Sequence, residues 1–134
     1  MHTTHATGLA LLLLLGTAQA NAADLYLRCE AKGPTGIPDK HLYRITDGAL
    51  YSYDTENGVW SGNYCDVSPS ACSFGERAYV YTERMSGGLT LTIRIDRLSG
   101  ALRIANRYDN GEVYSQTGYC EKTDAPSAPA QRKF

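Results

Sequence analysis

The sequence has no marked excess of charge of either sign. Thirteen lysines and arginines accompany 14 aspartates and glutamates, which gives a formal net charge of -1. Because the two signs are interspersed along the chain, no one-sign field is expected to attract a phosphate backbone or an anionic bilayer. Nucleic-acid binding and polybasic membrane docking are therefore disfavoured. At 134 residues, the chain has room for one small domain at most.

Residues that build common catalytic sites are also scarce. Beyond the first 20 residues the sequence has a single histidine, His41, and no G-x-S-x-G motif or phosphate-binding glycine pattern. The acidic pairs that lie nearest in sequence, Asp54 with Glu56 and Asp109 with Glu112, flank Asn-Gly turns, where such residues are commonly solvated. The sequence therefore favours a protein that is not an enzyme and predicts no cofactor.

Long hydrophobic runs are missing except near the start of the chain. Residues 9–15 are leucines interrupted only by Ala10, and the small-x-small pattern Ala18-Gln19-Ala20 follows. This pattern predicts a secretory signal peptide over residues 1–20. The run is far shorter than the roughly 20 residues that a membrane-spanning helix needs. Cleavage after Ala20 or after Ala22 stays open, and we expect an exported protein, either periplasmic or secreted.

The four cysteines, at positions 29, 65, 72 and 120, all follow this segment. An even number of cysteines in a small exported domain is typical of disulfide bonds. A zinc site is disfavoured because the cysteines show no C-x-x-C spacing and only one histidine accompanies them. Three pairings are possible. We expect Cys65–Cys72, across a compact loop that contains Pro69, and Cys29–Cys120, which would join the first and last strands of a closed sheet.

Residues 24–120 alternate between short β-rich runs and turn dipeptides such as Asp-Gly and Asn-Gly, which are strong hairpin signals. A segment with two prolines and two glycines, residues 33–39, is expected to be a loop. The pattern predicts an all-β domain over residues 21–120: a small antiparallel barrel or sandwich of about eight short strands, in up-and-down order and stapled by disulfides. The expected strands cover residues 24–30, 41–46, 49–54, 59–64, 77–84, 89–96, 101–108 and 112–120.

The clearest alternation lies in residues 89–96, which indicates the centre of the core. Alternate positions there, Thr90, Thr92, Arg94 and Asp96, are expected to face water. The other positions are expected to share one interior with apolar residues of neighbouring strands, namely Leu25, Leu27, Leu89, Leu91, Ile93, Ile95, Leu102 and Ile104. After Cys120 the composition shifts towards proline, alanine and charged residues, so residues 121–134 are predicted to form a disordered tail.

Aromatic residues other than tyrosine are few, with one tryptophan and two phenylalanines against ten tyrosines. Tyrosine and tryptophan favour half-wet positions and are frequent in binding surfaces, but tyrosine is also a common strand residue that packs across neighbouring strands. Both interpretations stay open. As a candidate binding site we select the hairpin around Asn57-Gly58, where Tyr51 and Tyr53 share one strand face, Trp60 follows the turn and Asp54 offers a carboxylate.

Residues 93–102 read I-R-I-D-R-L-S-G-A-L, and Gly118-Tyr119-Cys120 follow. With the early Tyr26-x-x-Cys29, this layout resembles that of small exported bacterial β-domain proteins of unknown function, in which an I-x-R-x-[ST]-G-x-L hairpin precedes a closing G-x-C strand. The resemblance covers residues 24–120 in outline. It implies turn and disulfide positions and no activity.

The favoured function is a non-catalytic binding module for an envelope protein, a glycan or a small ligand. One alternative is a structural or envelope-stress protein without a dedicated ligand. Another is an inhibitor of a secreted hydrolase: residues 84–90 resemble the S-x-S-G-x-x-Y loop of periplasmic inhibitors of c-type lysozyme, but they lack its first serine and its tyrosine. No nucleic-acid partner and no membrane insertion of the mature chain are expected.

Overall fold

The structure, a computed structural model, describes residues 23–127. The predicted signal peptide and the predicted tail from residue 128 onward lie outside the described residues. Within that range the chain forms a nine-stranded antiparallel sheet that curls into a half-barrel, so the all-β prediction is confirmed. The strands are β1 (Leu25–Lys32), β2 (Pro38–Thr46), β3 (Ala49–Asp54), β4 (Val59–Trp60), β5 (Cys72–Phe74), β6 (Ala78–Met85), β7 (Leu89–Asp96), β8 (Ala101–Tyr108) and β9 (Val113–Thr123), with a 3-10 helix, η1 (Tyr64–Val67), between β4 and β5.

The strand order is β4-β3-β2-β1-β9-β8-β7-β6-β5, with every neighbouring pair antiparallel. Strands that are consecutive in sequence are neighbours in the sheet, as the up-and-down prediction requires, except for β4 and β5. These two strands form the edges, while the first and last strands pair with each other in the middle. Eight antiparallel pairings separate β4 from β5, so the two edges run in the same direction and no tight hairpin can join them.

The connection between the edges replaces most of a predicted strand. The sequence predicts a strand over residues 59–64, but β4 ends at Trp60. The side-chain oxygen of Asn63 accepts hydrogen bonds from the backbone N–H of Cys65 at 3.0 Å and of Leu50 at 3.1 Å. Asn63 thereby caps η1 and ties it to β3. On the other side the ring of Tyr64 stacks on Tyr81 of β6, with centroids 5.2 Å apart. Helix η1 therefore covers the gap between the two edges of the sheet.

The core lies on the inner face of the curl. Leu25, Leu91 and Ile104 of the predicted interior are only partly buried and pack against it. Leu89 shares this face and is half-buried, but it is not part of the core cluster, and its register partners Met85 and Tyr108 are exposed at the end of the sheet. The buried cluster consists of Leu27, Cys29, Ala31, Tyr43, Ile45, Leu50, Ala71, Tyr81, Ile93, Ile95 and Leu102.

Strand β5 was not predicted, and β1, β2 and β9 extend beyond the residues expected for them. Pro38 was expected in a loop but begins β2, opposite Lys32. A proline is tolerated there because it is the first residue of the strand, and β3 reaches along β2 only over residues 43–46. At the other end β9 continues to Thr123, which pairs with Tyr26. Residues 121–123 therefore belong to the sheet and not to a disordered tail.

The two disulfides have the pairing expected from the sequence. Cys29–Cys120 joins β1 to β9 at directly opposite positions. Cys65–Cys72 joins η1 to β5 across seven positions of the chain. One bridge therefore fastens the centre of the sheet, and the other fastens the segment that covers its open side.

Candidate binding surface on the outer face of the sheet

Five side chains meet on the outer face of β1 to β4. Successive side chains of a strand point to opposite faces, so residues that alternate with buried positions point outward. The register places Tyr26 opposite Arg44, Arg44 opposite Tyr51, and Tyr53 opposite Trp60. All five are half-buried. This group, Tyr26, Arg44, Tyr51, Tyr53 and Trp60, is termed the aromatic patch.

The members of the aromatic patch hold one another in place. The ring of Trp60 lies 4.9 Å from that of Tyr53 and 5.9 Å from that of Tyr26, measured between centroids. The guanidinium carbon of Arg44 lies 4.4 Å from the centroid of Tyr51 and 5.7 Å from that of Trp60. Tilted aromatic pairs and cation–π contacts at such distances are attractive. The patch is therefore an organised surface and not a set of independent rings.

Arg44 depends mainly on these rings. Its Nε is buried and donates no hydrogen bond to any residue that the structure describes, and the nearest carboxylate oxygen, Oδ2 of Asp24, is 4.0 Å away. A carboxylate at that distance satisfies the guanidinium poorly. The charge of Arg44 is thus kept beside the faces of Tyr51 and Trp60, at the centre of the patch.

Asp54 does not join the aromatic patch, although the sequence suggested it as a binding residue. Its side chain lies on the other face of β3 from that of Tyr53. The carboxylate accepts hydrogen bonds from the side chain and the backbone N–H of Asn57, at 2.7 and 3.1 Å, and from the backbone N–H of Glu56 at 2.9 Å. The Asn57 side chain contributes most to lowering the pKa of Asp54. Asp54 therefore stabilises the hairpin turn.

The sequence pointed to Tyr51, Tyr53 and Trp60 but missed Tyr26 and Arg44. These two come from β1 and β2, and they join the patch only through the register of that hairpin. The register of β1 against β2 could not be predicted because Pro38 was assigned to a loop. The length of the connection between the two strands was therefore not defined. A hairpin drawn with Pro38 opposite Lys32 would have placed Tyr26 opposite Arg44.

A groove of about 460 Å³ adjoins the aromatic patch and shares Tyr53 with it. One wall is the outer side of β2, and the other is the chain that leaves β9. A volume of this size is within the range of small-ligand sites and suits one or two side chains of a partner. The lining residues are Arg28, Lys40, His41, Leu42, Tyr53, Thr55, Thr123, Asp124, Ala125 and Pro126.

His41 is half-buried at the inner side of β2, and its ring stacks on Tyr43 with centroids 5.7 Å apart. Its Nε2 is buried and has no hydrogen-bond partner among residues 23–127. Burial lowers the pKa of His41, and the charge of Asp39 opposes this shift. The histidine therefore favours its neutral form, and its contacts are those of a residue packed at the edge of the core.

In the part of the chain that the structure describes, no group of three or more His, Cys, Asp or Glu side chains is placed to hold a metal ion. No helix between residues 23 and 127 is long and apolar enough to span a membrane. Neither protein-family models nor curated proteins match this sequence. Function has therefore to be inferred from the geometry of the molecule itself.

Proposed function

We propose that this protein is an exported, non-catalytic binding module that recognises a partner protein of the cell envelope through the aromatic patch. The observation that carries the proposal is the contact of Tyr53 and Arg44 with Trp60 on the outer face. Tryptophan, tyrosine and arginine are the residue types that contribute most to binding in protein interfaces. The aromatic patch consists of these three types alone.

Packing of the core does not require the aromatic patch. The buried residues of β1 to β3, such as Leu27, Tyr43 and Leu50, lie on the opposite face of the sheet. Rings that are already fixed by their neighbours lose little side-chain entropy when a partner covers them, which favours binding. The groove beside Tyr53 offers a recess for a partner side chain at the rim of the same surface.

Export is supported by the two disulfide bonds and by the predicted signal peptide. Disulfides persist in oxidising compartments and are rare where thiols are kept reduced. A rigid, disulfide-bonded sheet suits a module that must present a fixed surface outside the cytoplasm.

The test uses the oxidised protein without its predicted signal peptide to capture partners from an envelope extract, followed by titration of the purified partner. Trp60→Ala and Tyr53→Ala are each expected to weaken binding about 30-fold, as for interface residues worth about 2 kcal/mol. The matched control is Tyr114→Ala, whose side chain is 53% exposed outside the patch and which is expected to bind normally. Undiminished binding by Trp60→Ala, together with a large fall in its thermal midpoint, would show that the patch is structural.

A further inference from the structure

A second surface on the outer face carries unbalanced positive charge. Arg94 of β7 lies directly opposite Arg103 of β8, Arg103 lies opposite Thr117 of β9, and Thr117 lies opposite Lys32 of β1. Three strand spacings separate the first residue of this line from the last, a span of about 14 Å at about 4.8 Å per spacing. Arg94, Arg103 and Lys32 are all exposed. They are termed the basic row.

Two other outer-face arginines of the described residues each have a carboxylate partner. Glu121 pairs with Arg28, and Asp109 pairs with Arg84. Within residues 23–127, by contrast, Arg94, Arg103 and Lys32 form no ion pair. Two like charges directly opposite in a sheet destabilise it. The Arg94–Arg103 pair is therefore expected to weaken the fold slightly.

Glu30 lies opposite Tyr119 and two residues from Lys32, while Asp96 lies two residues from Arg94. The Oδ1 of Asp96 accepts hydrogen bonds from the backbone N–H of Leu98 and from the backbone N–H and hydroxyl of Ser99. These bonds, chiefly those from Ser99, lower the pKa of Asp96. The carboxylate therefore serves the turn between β7 and β8, and the guanidinium of Arg94 has no hydrogen bond to it.

A depression of about 540 Å³ lies beside the two arginines of the row, and its lining includes Arg94, Asp96, Arg103, Thr117 and Tyr119 but not Lys32. The side chain of Tyr119 is 72% exposed, the most exposed tyrosine in the described residues. The register places it opposite Ala101, a small residue that leaves one side of the ring open. Two guanidinium groups without ion-pair partners, a hydroxyl, an exposed aromatic ring and the turn-bound carboxylate of Asp96 thus surround one shallow site.

We propose that the basic row and Tyr119 bind an acidic polysaccharide. The planar guanidinium groups of Arg94 and Arg103 suit carboxylate or sulfate groups, which they can hold through two parallel hydrogen bonds. The exposed ring of Tyr119 offers an apolar face on which a sugar ring can stack, and the hydroxyl of Thr117 can bond to a sugar hydroxyl. Because the row crosses four strands, the ligand is a polymer and not a single sugar. The site is independent of the aromatic patch and of its proposed partner.

The experiment titrates the oxidised protein with polygalacturonate, which carries carboxylates, and with heparin fragments, which carry sulfates. Inorganic polyphosphate, which has no sugar rings, and duplex DNA serve as comparison polyanions. Binding of at least one polysaccharide is expected, weakening as salt is added. Arg94→Gln/Arg103→Gln is expected to lower that affinity at least about tenfold, as the loss of charge-assisted hydrogen bonds predicts. Arg84→Gln, which removes an arginine already paired with Asp109, is expected to change it less than about twofold.

Tyr119→Ala separates a sugar site from a general anion site. It is expected to weaken polysaccharide binding and to leave polyphosphate binding unchanged. Removal of two mutually repelling charges is not expected to lower the thermal midpoint, so misfolding offers no explanation for lost binding. Absence of binding to both polysaccharides, equal effects of the Arg84 and Arg94/Arg103 variants, or tighter binding of polyphosphate or DNA would overturn the proposal. Trp60→Ala leaves the polysaccharide affinity unchanged if the two surfaces are separate.

Discussion

Gly118 lies where β9 passes closest to β1. A Cβ atom at this position would overlap the carbonyl oxygen of Glu30 and lie 2.7 Å from the Cα of Ala31. Both obstacles are backbone atoms of a strand that the Cys29–Cys120 bridge holds in place. The close approach of the two backbones beside the disulfide therefore explains why the G-x-C strand has a glycine at position 118.

Gly118→Ala is accordingly expected to be among the most damaging single substitutions. Because no side chain can move aside to make room, we expect a loss above about 3 kcal/mol, beyond the usual range for overpacking. Urea unfolding with intact disulfides measures this loss. Gly62→Ala is the matched control, because no atom lies within 4 Å of its Cβ position. Similar stability of the two variants would contradict the close approach.

His41 makes stability depend on pH in a defined direction. Burial lowers its pKa below the ordinary value of 6.5, so the folded state resists the proton that the unfolded chain accepts. This contribution to stability is fully present above pH 6.5 and is lost as the pH falls through that value towards the lower pKa of the folded state. Urea unfolding between about pH 5 and pH 8 measures this effect. As the pH falls, the free energy of unfolding is expected to decrease more steeply for the parent protein than for His41→Gln. Equal slopes would show that His41 is not desolvated.

At the scale of elements, the hairpins can be predicted from local sequence. The segment that contains η1 and covers the gap between the edges β4 and β5, termed the seam, cannot. The strands Leu89–Asp96 and Ala101–Tyr108 have the bounds predicted, because their alternation and their Gly-containing turns are local signals. Helix η1 was missed because Tyr64 was assigned to the strand over residues 59–64 and the residues between Cys65 and Cys72 to a compact loop. What bends the chain there is Asn63, whose partner Leu50 is 13 residues away. A contact of that separation cannot be recognised from periodicity.

Asn63→Ala tests the role of this seam. The substitution leaves the backbone N–H of Leu50, a residue only 3% exposed, without its acceptor. An unsatisfied buried donor is expected to cost about 1–3 kcal/mol. Asn63→Asp keeps the acceptor oxygen but sets a second carboxylate against Asp66, so it is expected to recover only part of the stability. Faster hydrogen exchange of the Leu50 amide in Asn63→Ala would locate the effect.

The control for this prediction is Asn110→Ala. Its side chain also accepts a bond from a nearby backbone N–H, that of Glu112, but in an exposed turn. We expect it to lose less stability, because water can replace the acceptor there. Equal losses in the two variants would mean that η1 closes the seam without help from Asn63.

At the scale of the whole molecule, the pairing of the strands produces a cationic surface that the composition does not predict. A net charge of -1 and interspersed signs gave no reason to expect a cationic surface. Nevertheless, Arg94, Arg103 and Lys32 come from distant parts of the chain and lie in one row because of the pairings β7·β8, β8·β9 and β1·β9. The last of these pairings is non-local, because it joins the first strand to the last in the middle of the sheet. Candidate sites of this kind become visible only when the register is known.

The pairing of β1 with β9 also decides which disulfide contributes more to stability. In the chain-entropy model, Cys29–Cys120, with a sequence separation of 91, contributes about 4.6 kcal/mol, and Cys65–Cys72, with a separation of 7, about 2.5 kcal/mol. Cys29→Ser/Cys120→Ser is therefore expected to lower the free energy of unfolding more than Cys65→Ser/Cys72→Ser. Urea unfolding of the two double variants measures the difference. The short bridge has a local role, so its loss is expected to loosen η1 and to speed exchange of the Leu50 amide while the β1–β9 amides stay protected. A larger loss from the short bridge would mean that the seam, and not the β1–β9 pairing, is the weakest point of the half-barrel.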